Sequence, residues 1–430
     1  MIPRNGFTLG RVTHFLPATL SVMFVSLVAV ALLHSQGQTS IAAEYKTWSS
    51  PVDIRVATFN VEDIRESDLS DPNHPRLRRI GSVIREMRPN IILLNEIAYD
   101  GPGSPGHREG DQPGQLAQRF VETFVHAAGD GGQSGIRYRA FMAPVNTGMH
   151  SGFDLDNDGR VVSTFPLPMP SNPDGTPPRQ TNEQRAYGND AWGFGTFPGQ
   201  YGMALLVDER LEIVSDRVRT FRLMPWDYVP GAFVPRLPET NEPWYDADEW
   251  AIFRLSSKSH WDIPVRLPNG QVIHLLCSHP TPPAFDGPEM RNQKRNHDEI
   301  RFWADYLDRA AYIVDDLNQP GGLDPDAHFV ILGDLNADPE KGNSFKNPIK
   351  RNLFANTRIN SSITPVSDLA VPGLEPSDTA MFKLRVDYVL PSRTLEPIRA
   401  GVWRSNPEPV DMPFPSDHFP VWMDVRVPAP

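Results

Sequence analysis

Cysteine is nearly absent: Cys277 is the single one in 430 residues. One thiol builds no disulfide framework, and so far from the N-terminus it is no lipidation site. Internal repeats and low-complexity runs are missing as well, which excludes repeat arrays and biased linkers. Positive charge is scarce, with 41 Lys and Arg against 53 Asp and Glu and a net charge of −12. Sequence-independent binding to nucleic acid depends on clustered Lys and Arg, so this chain is a poor electrostatic sponge for it. An anionic phosphate substrate is not excluded, because a bound cation inverts the field of an acidic site. Long apolar runs are confined to one, over residues 15–33.

That run follows Arg4 and Arg11 and precedes the small, polar patch Ser40-Ile41-Ala42-Ala43. Basic, then apolar, then small is the order of a secretory signal, so residues 1–43 are expected to direct export to the periplasm or the exterior. The run is also long enough for an uncleaved membrane anchor, the one route by which a membrane would become a partner. Residues 1–43 hold no acidic residue, so their removal leaves the chain two charges more negative. Hydrophobic residues at 39% and aromatics at 10% suffice for a sizeable core, and 44 prolines with 31 glycines, clustered between the apolar runs, predict long ordered loops.

The rest, residues 44–430, reads as a single α/β domain. Residues 53–60, DIRVATFN, alternate as a strand does and end on Asn60. Leu77, Ile80, Ile84 and Met87 then share a helical face, with Arg76, Arg78, Arg79, Arg85 and Arg88 expected mainly elsewhere and Pro89 as the stop. The apolar run from Ile91 finishes on Asn95-Glu96. A strand–helix–strand unit with a polar residue at each strand's carboxyl end presents groups at one sheet edge. Loops follow over residues 99–114, then a helix through Leu116, Phe120 and Phe124; insertions are expected at about 145–200 and 224–250. Between them, residues 201–207 resume strand character.

Within the first insertion, Asp154, Asp156 and Asp158 precede Gly159 at the spacing of a calcium loop, where a hard cation needs several oxygens and the turn needs a residue without Cβ. The twelfth position is Phe165 instead of a bidentate Glu, so a structural Ca2+ competes with a plain Asp-rich turn. Downstream, a strand over residues 271–278 ends at His279, and Ile300, Trp303, Leu307, Ala311 and Val314 are spaced for a helix. Next comes HFVILGDLNADP, residues 328–339: a buried strand broken by Gly333, then acid and amide. If the chain stays extended past Gly333, Asp334 and Asn336 point to one side. A strand over residues 384–390 carries Asp387, and Asp417-His418 precede a last strand over residues 421–427. Each of these polar residues alone has an ordinary explanation as a solvated or turn residue. Their recurrence at strand ends is what points to a site.

The order TFNV at 58–61, LNE at 94–96, GDLNADP at 333–339, RVDYVL at 385–390 and SDH at 416–418 resembles the endonuclease/exonuclease/phosphatase superfamily. Its members are metal-dependent phosphoesterases that include DNase I-like nucleases, abasic-site endonucleases, secreted sphingomyelinases and inositol polyphosphate phosphatases. The resemblance implies a four-layer α/β/β/α sandwich of two mixed sheets. It implies Glu96, Asn60 and Asp417 around Mg2+ or Mn2+, and Asp334 orienting or deprotonating the attacking water. It further implies Asn336 and His418 on the phosphoryl oxygens, Asp387 orienting His418, and His279 as general acid for the leaving oxygen. Tyr201, directly before Gly202, is one place off the Tyr-x-Gly spacing of abasic-site endonucleases. The expected substrate is a phosphodiester, in nucleic acid first and in a phospholipid or inositol phosphate second, and no protein partner is implied. The alternative of another class is a catalytically inactive, calcium-stabilised binding module.

Overall fold

Alternate residues of the strands go to different neighbours, and this sorting sets the layers. In β1 (Val52–Ile64), Ile54 and Val56 enter one apolar cluster while Ala57, Phe59 and Val61 enter another. The computed structural model describes residues 50–126 and 136–430; the expected signal or anchor over residues 1–43 lies outside them. Among the described residues no helix is long and apolar enough to cross a membrane.

After β1 come α1 (Pro75–Met87), β2 (Ile91–Ile97), α2 (Leu116–Phe120), β3 (Tyr138–Phe141), α3 (Asn182–Asn189) and β4 (Met203–Asp208). The short strands β5 (Glu212–Ile213) and β6 (Arg219–Thr220) lead to α4 (Ala247–Ile252), β7 (His260–Arg266) and β8 (Val272–Ser278). The chain ends with α5 (Arg291–Leu307), β9 (His328–Asp334), β10 (Asp387–Pro391), β11 (Glu396–Val402) and β12 (Val421–Val427). One sheet has the order β11-β12-β1-β2-β4-β3 and the other β10-β9-β8-β7-β5, with β6 on β7. Each sheet contains one parallel pair, β1/β2 or β8/β9, bridged by a helix; every other pair is antiparallel. The sheets face each other across Val56, Leu93, Leu205, Ile263, Leu275, Val330, Leu332 and Met423. Outside them, α1 and α2 cover the first sheet and α5 the second. This is the expected four-layer sandwich.

The helix α1 begins at His74, whose Nδ1 accepts from Leu77 N, and ends at Arg88 in a left-handed conformation, φ 52°. Its apolar face is the one expected, but Arg76 and Arg79 are buried with it. Arg76 donates to the carbonyls of Gly175 and Val61, and Arg79 to those of Pro413 and Pro407. These arginines serve as fixed donors to irregular backbone.

Three elements differ from expectation. The strand β7 is invisible in the sequence because Pro264 interrupts it and both faces are buried, so polar and apolar residues do not alternate. Asp262 instead accepts from His274 Nδ1 at 2.7 Å and from the Tyr306 hydroxyl at 2.6 Å. The helix α5 lies earlier than its apolar spacing suggested, stopping before Arg309, which has φ 58°. Both insertions are ordered: the first carries α3, capped by Thr181, and the second buries Trp226 against Asp298 at 2.8 Å.

Gly333 does not break β9 but lies within it, with φ 142° and Ser278 O 1.9 Å from where a Cβ would stand. Only a residue without a side chain lets β8 and β9 approach so closely. Gly333→Ala is therefore expected to cost roughly 2–6 kcal/mol, overpacking and backbone strain together, read as a lower urea midpoint. An unchanged midpoint would contradict the close approach.

Candidate active site

Polar residues close the apolar interior between the sheets where the parallel strands end. In β1 the inward positions after Val56 are Thr58 and Asn60; in β2, after Leu93, Asn95; after Cys277 comes His279, after Leu332 Asp334, and before Val389 Asp387. Period-two alternation thus carries the core face of five strands straight into the site. The carboxyl ends of the two parallel pairs meet there, and Asp387 lies directly opposite Asp334. Glu96 has the wrong parity for this face; its left-handed backbone, φ 68°, turns it in.

Asn60 is the hub, its Nδ2 donating to Glu96 Oε1 at 3.0 Å and to Asp334 Oδ2 at 3.1 Å. Its Oδ1 accepts from Glu62 N at 3.0 Å. Asn95 accepts from Asp334 N and Thr58 Oγ1, both at 3.2 Å, which fastens one sheet to the other beneath the carboxylate. His418 Nδ1 donates to Asp387 Oδ2 at 2.9 Å, while its Nε2 stands 3.8 Å from Asp334 Oδ2 and 4.0 Å from Asp417 Oδ1. His418 is tied to β1 through Ser416, whose hydroxyl donates to Asn60 O at 2.7 Å and accepts from His418 N. The expected residues Asn60, Glu96, His279, Asp334, Asn336, Asp387, Asp417 and His418 thus converge.

Charge explains the protonation pattern. Burial and the charge of Asp417 raise Glu96 to about 8. Asp334 is raised to about 6, by burial first and then by Asp387, against the pull of His418. Glu62 also rises to about 6 through burial and Asp417. Burial opposes a charge on His418, but Asp387, Asp334 and Asp417 outweigh it and hold the imidazolium well above its usual range. His279 goes the other way, lowered by burial and by the cations Lys258 and His418. It is therefore neutral, with Nε2 3.5 Å from Asp334 Oδ2 and Nδ1 buried without a partner.

Asn336 departs from expectation too. Its backbone turns left-handed, φ 54°, instead of continuing extended, and its N donates to Asp334 Oδ1 at 2.9 Å. One amide hydrogen is spent on Pro280 O at 3.1 Å, leaving the other for a substrate oxygen. Tyr201 is half-buried with its hydroxyl accepting from Gln180 at 2.9 Å.

Sequence reasoning missed Glu62, which brings a further carboxylate beside Asp417, and Lys258, buried near acid groups. Glu62 follows the TFNV motif and was legible as an acid two places beyond Asn60; Lys258 precedes the strand that the pattern hid.

Among the described residues two clusters bring ligand atoms within 4.8 Å of one another: Asp334 with Asp387 and His418, and Asp154 with Asp156 and Asp190. In the first, charged His418 already supplies positive charge. Beside it Asp417 raises both Glu96 and Glu62 by its charge, a mutual repulsion of carboxylates that a hard divalent cation would relieve, while Asn60 turns its amide nitrogen to Glu96 and its Oδ1 to Glu62 N. In the Asp-rich loop the third member is Asp190, not Asp158. Asp158 pairs with Arg160 at 2.7 Å, whereas Asp190 is fixed by Leu155 N and Val162 N. Asp154 accepts from Asp158 N and Gly159 N, closing the turn by itself.

The family model described as Endonuclease/Exonuclease/phosphatase family matches residues 57–418. No curated protein matches the chain significantly. Among solved structures, an endonuclease/exonuclease/phosphatase from Beutenbergia cavernae is 19% identical, covers 88% of this chain and 72% of its own, and has a TM-score of 0.47. The human Nocturnin catalytic domain with bound sulfate is 15% identical with 87% and 94% covered and a TM-score of 0.43. The endonuclease/exonuclease/phosphatase from Bacteroides vulgatus is 11% identical, with 87% and 99% covered and a TM-score of 0.42.

Proposed function

Since the chain belongs to the endonuclease/exonuclease/phosphatase family and is thus a metal-dependent phosphoric ester hydrolase, we propose that it is an exported phosphodiester hydrolase of the nuclease type. The observation that carries this reading is the Asp387–His418–Asp334 array beside the Asn60–Glu96 pair. A carboxylate raised to about 6 is ionised at neutral pH yet basic enough to take a proton from water. The charged His418 Nε2–H and the free amide hydrogen of Asn336, each tied to the surroundings of Asp334, would stabilise charge developing on phosphoryl oxygens. Glu96, Asp417 and Asn60, with Glu62, would hold Mg2+ or Mn2+, which when bound polarises the phosphoryl group and screens the carboxylates from an anionic substrate. The array is complete rather than eroded, which sets the inactive calcium-stabilised module aside.

At pH 7 Glu96 is mostly protonated in the metal-free protein, because burial and Asp417 raise it to about 8. Binding Mg2+ requires the carboxylate, so roughly one proton is released per ion, and affinity rises with pH up to about 8. Calorimetry in buffers of different ionisation enthalpy measures this. Proton-free binding at pH 7 would remove Glu96 from the metal site.

A phospholipid or inositol phosphate is the second reading, and the burial of Arg76 and Arg79 favours it: the one arginine-rich helix offers less of a basic face for duplex DNA. Half-exposed Phe382, packed edge-on against His418 at 5.3 Å between centroids, likewise gives the rim an apolar side. A panel of duplex DNA, RNA, sphingomyelin and an inositol polyphosphate, each with Mg2+, separates the two. Nucleic-acid cleavage supports the first, and turnover of the others alone supports the second. Export rests on residues 1–43; sequencing the N-terminus of the exported protein tests it, and an intact residue 1 would favour the anchor. A calcium ion at the Asp154–Asp156–Asp190 loop would show as a higher melting temperature in Ca2+ than in chelator.

A further inference from the structure

Lys258 is the one cation of the site that the phosphodiesterase reading has not used. It is only 5% exposed. Among the described residues its ammonium is in no ion pair, and it is not one of the side-chain nitrogens sealed from solvent without a partner. Burial lowers its pKa, while Glu299, Glu96 and Asp334 hold it up, and its own charge in turn lowers His279. The ammonium therefore lies inside the field of the reacting groups without resting on any of them.

The backbone around it is fixed with unusual care. Lys258 sits two residues before His260, which pairs with Ser278, so it flanks the Ser278–Thr281 turn that carries His279. The buried carboxylate of Glu299, on α5, accepts from Ser257 N with one oxygen and from Thr281 N with the other, both at 2.6 Å. Asn296, one turn earlier on α5, donates to Thr281 O at 2.8 Å and to Leu335 O at 3.0 Å, which joins the segments after His279 and Asp334. From the other side Asn146 N donates to Lys258 O at 2.9 Å, and Gly193 approaches Ser257 O so closely that a Cβ would stand 1.8 Å away. Both Asn146 and Gly193 belong to the first insertion, so that insertion braces the lysine.

A mostly buried ammonium outside any ion pair is costly unless something anionic completes it. The group that enters this space during the reaction is a phosphodiester, whose two non-bridging oxygens share one negative charge. We propose that Lys258 binds a non-bridging oxygen of the substrate phosphate, and that Glu299 is its positioning residue. This rests on the phosphoesterase reading of the site. A lysine is suited to the task as a point charge that accommodates one oxygen at changing distance, where an arginine fork would impose a bidentate geometry.

The test is the melting temperature of the full chain in Mg2+ as orthophosphate is added, for wild type, Lys258→Met and Lys258→Arg. Wild type should be stabilised by phosphate. Lys258→Met should melt no lower than wild type without phosphate, because no ion pair is broken, and should need about 10- to 100-fold more phosphate for half the shift. Lys258→Arg should recover most of the affinity, and the methionine variant should raise KM for bis-p-nitrophenyl phosphate in parallel. A Lys258→Met protein that melts several degrees lower and responds to phosphate as wild type does would make the lysine structural and overturn the proposal, as would a wild type indifferent to phosphate. Hydrolysis by wild type is scored separately: turnover with phosphate binding unchanged in Lys258→Met sinks the lysine alone, whereas no turnover of any phosphodiester sinks the phosphoesterase reading.

Discussion

Asp334→Asn should lower kcat for phosphodiester hydrolysis by roughly 10^2- to 10^4-fold, the range of a lost general base, with little change in KM. The substitution preserves shape, and an amide oxygen can still accept from Asn336 N as the carboxylate does at 2.9 Å. What disappears is the site's only carboxylate that is at once hydrogen-bonded by Asn60, opposite Asp387 and within 4 Å of both histidines. The pH profile gives a second readout. In wild type the protonated form of Asp334 is inactive, so kcat in Mg2+ falls as pH drops through the Asp334 pKa, about 6 without metal and lower once a bound cation favours the ionised form. That acid limb should vanish in Asp334→Asn. Unchanged kcat with the limb retained would assign the base elsewhere.

Glu96→Gln should have effects of opposite sign on activity and on metal-free stability. Losing a ligand oxygen should weaken Mg2+ binding by at least about 100-fold, beyond the 10–100-fold typical of outer partners, and activity at modest Mg2+ should fall with it. Without metal the same change should stabilise the fold at alkaline pH. A carboxyl group raised to about 8 contributes stability that is fully present below its unfolded value and is lost as pH rises through about 8. Wild type in chelator should therefore melt lower at pH 9 than at pH 5, and Glu96→Gln should flatten that slope while keeping the acceptor for Asn60. A function that needs crowded carboxylates is bought with metal-free stability. A variant melting below wild type at pH 9 in chelator would show that the carboxylate is structural.

Much of this site was legible because the same period-two rule that buries Val56, Leu93, Leu332 and Val389 also aims Asn60, Asn95, Asp334 and Asp387. A strand's apolar run and its terminal polar residue are read from one pattern. Legibility failed where the backbone leaves the regular regions. Glu62, Glu96 and Asn336 all have positive φ, and nothing in a side chain's identity announces that. It failed again where polarity is satisfied inside: β7 carries His260, Asp262 and Pro264 through the interior, and Arg76 and Arg79 spend their charges on carbonyls. Lys258 was hidden for the same reason, since its meaning depends on Glu299, on α5, and on Asn146, within the first insertion.

The most direct test is steady-state hydrolysis of bis-p-nitrophenyl phosphate by wild type and Asp334→Asn, in Mg2+ and in chelator. The arrangement predicts turnover in Mg2+ only, lost in the variant. Turnover that survives chelation, or that the variant retains in full, would contradict a metal-dependent phosphodiesterase centred on Asp334.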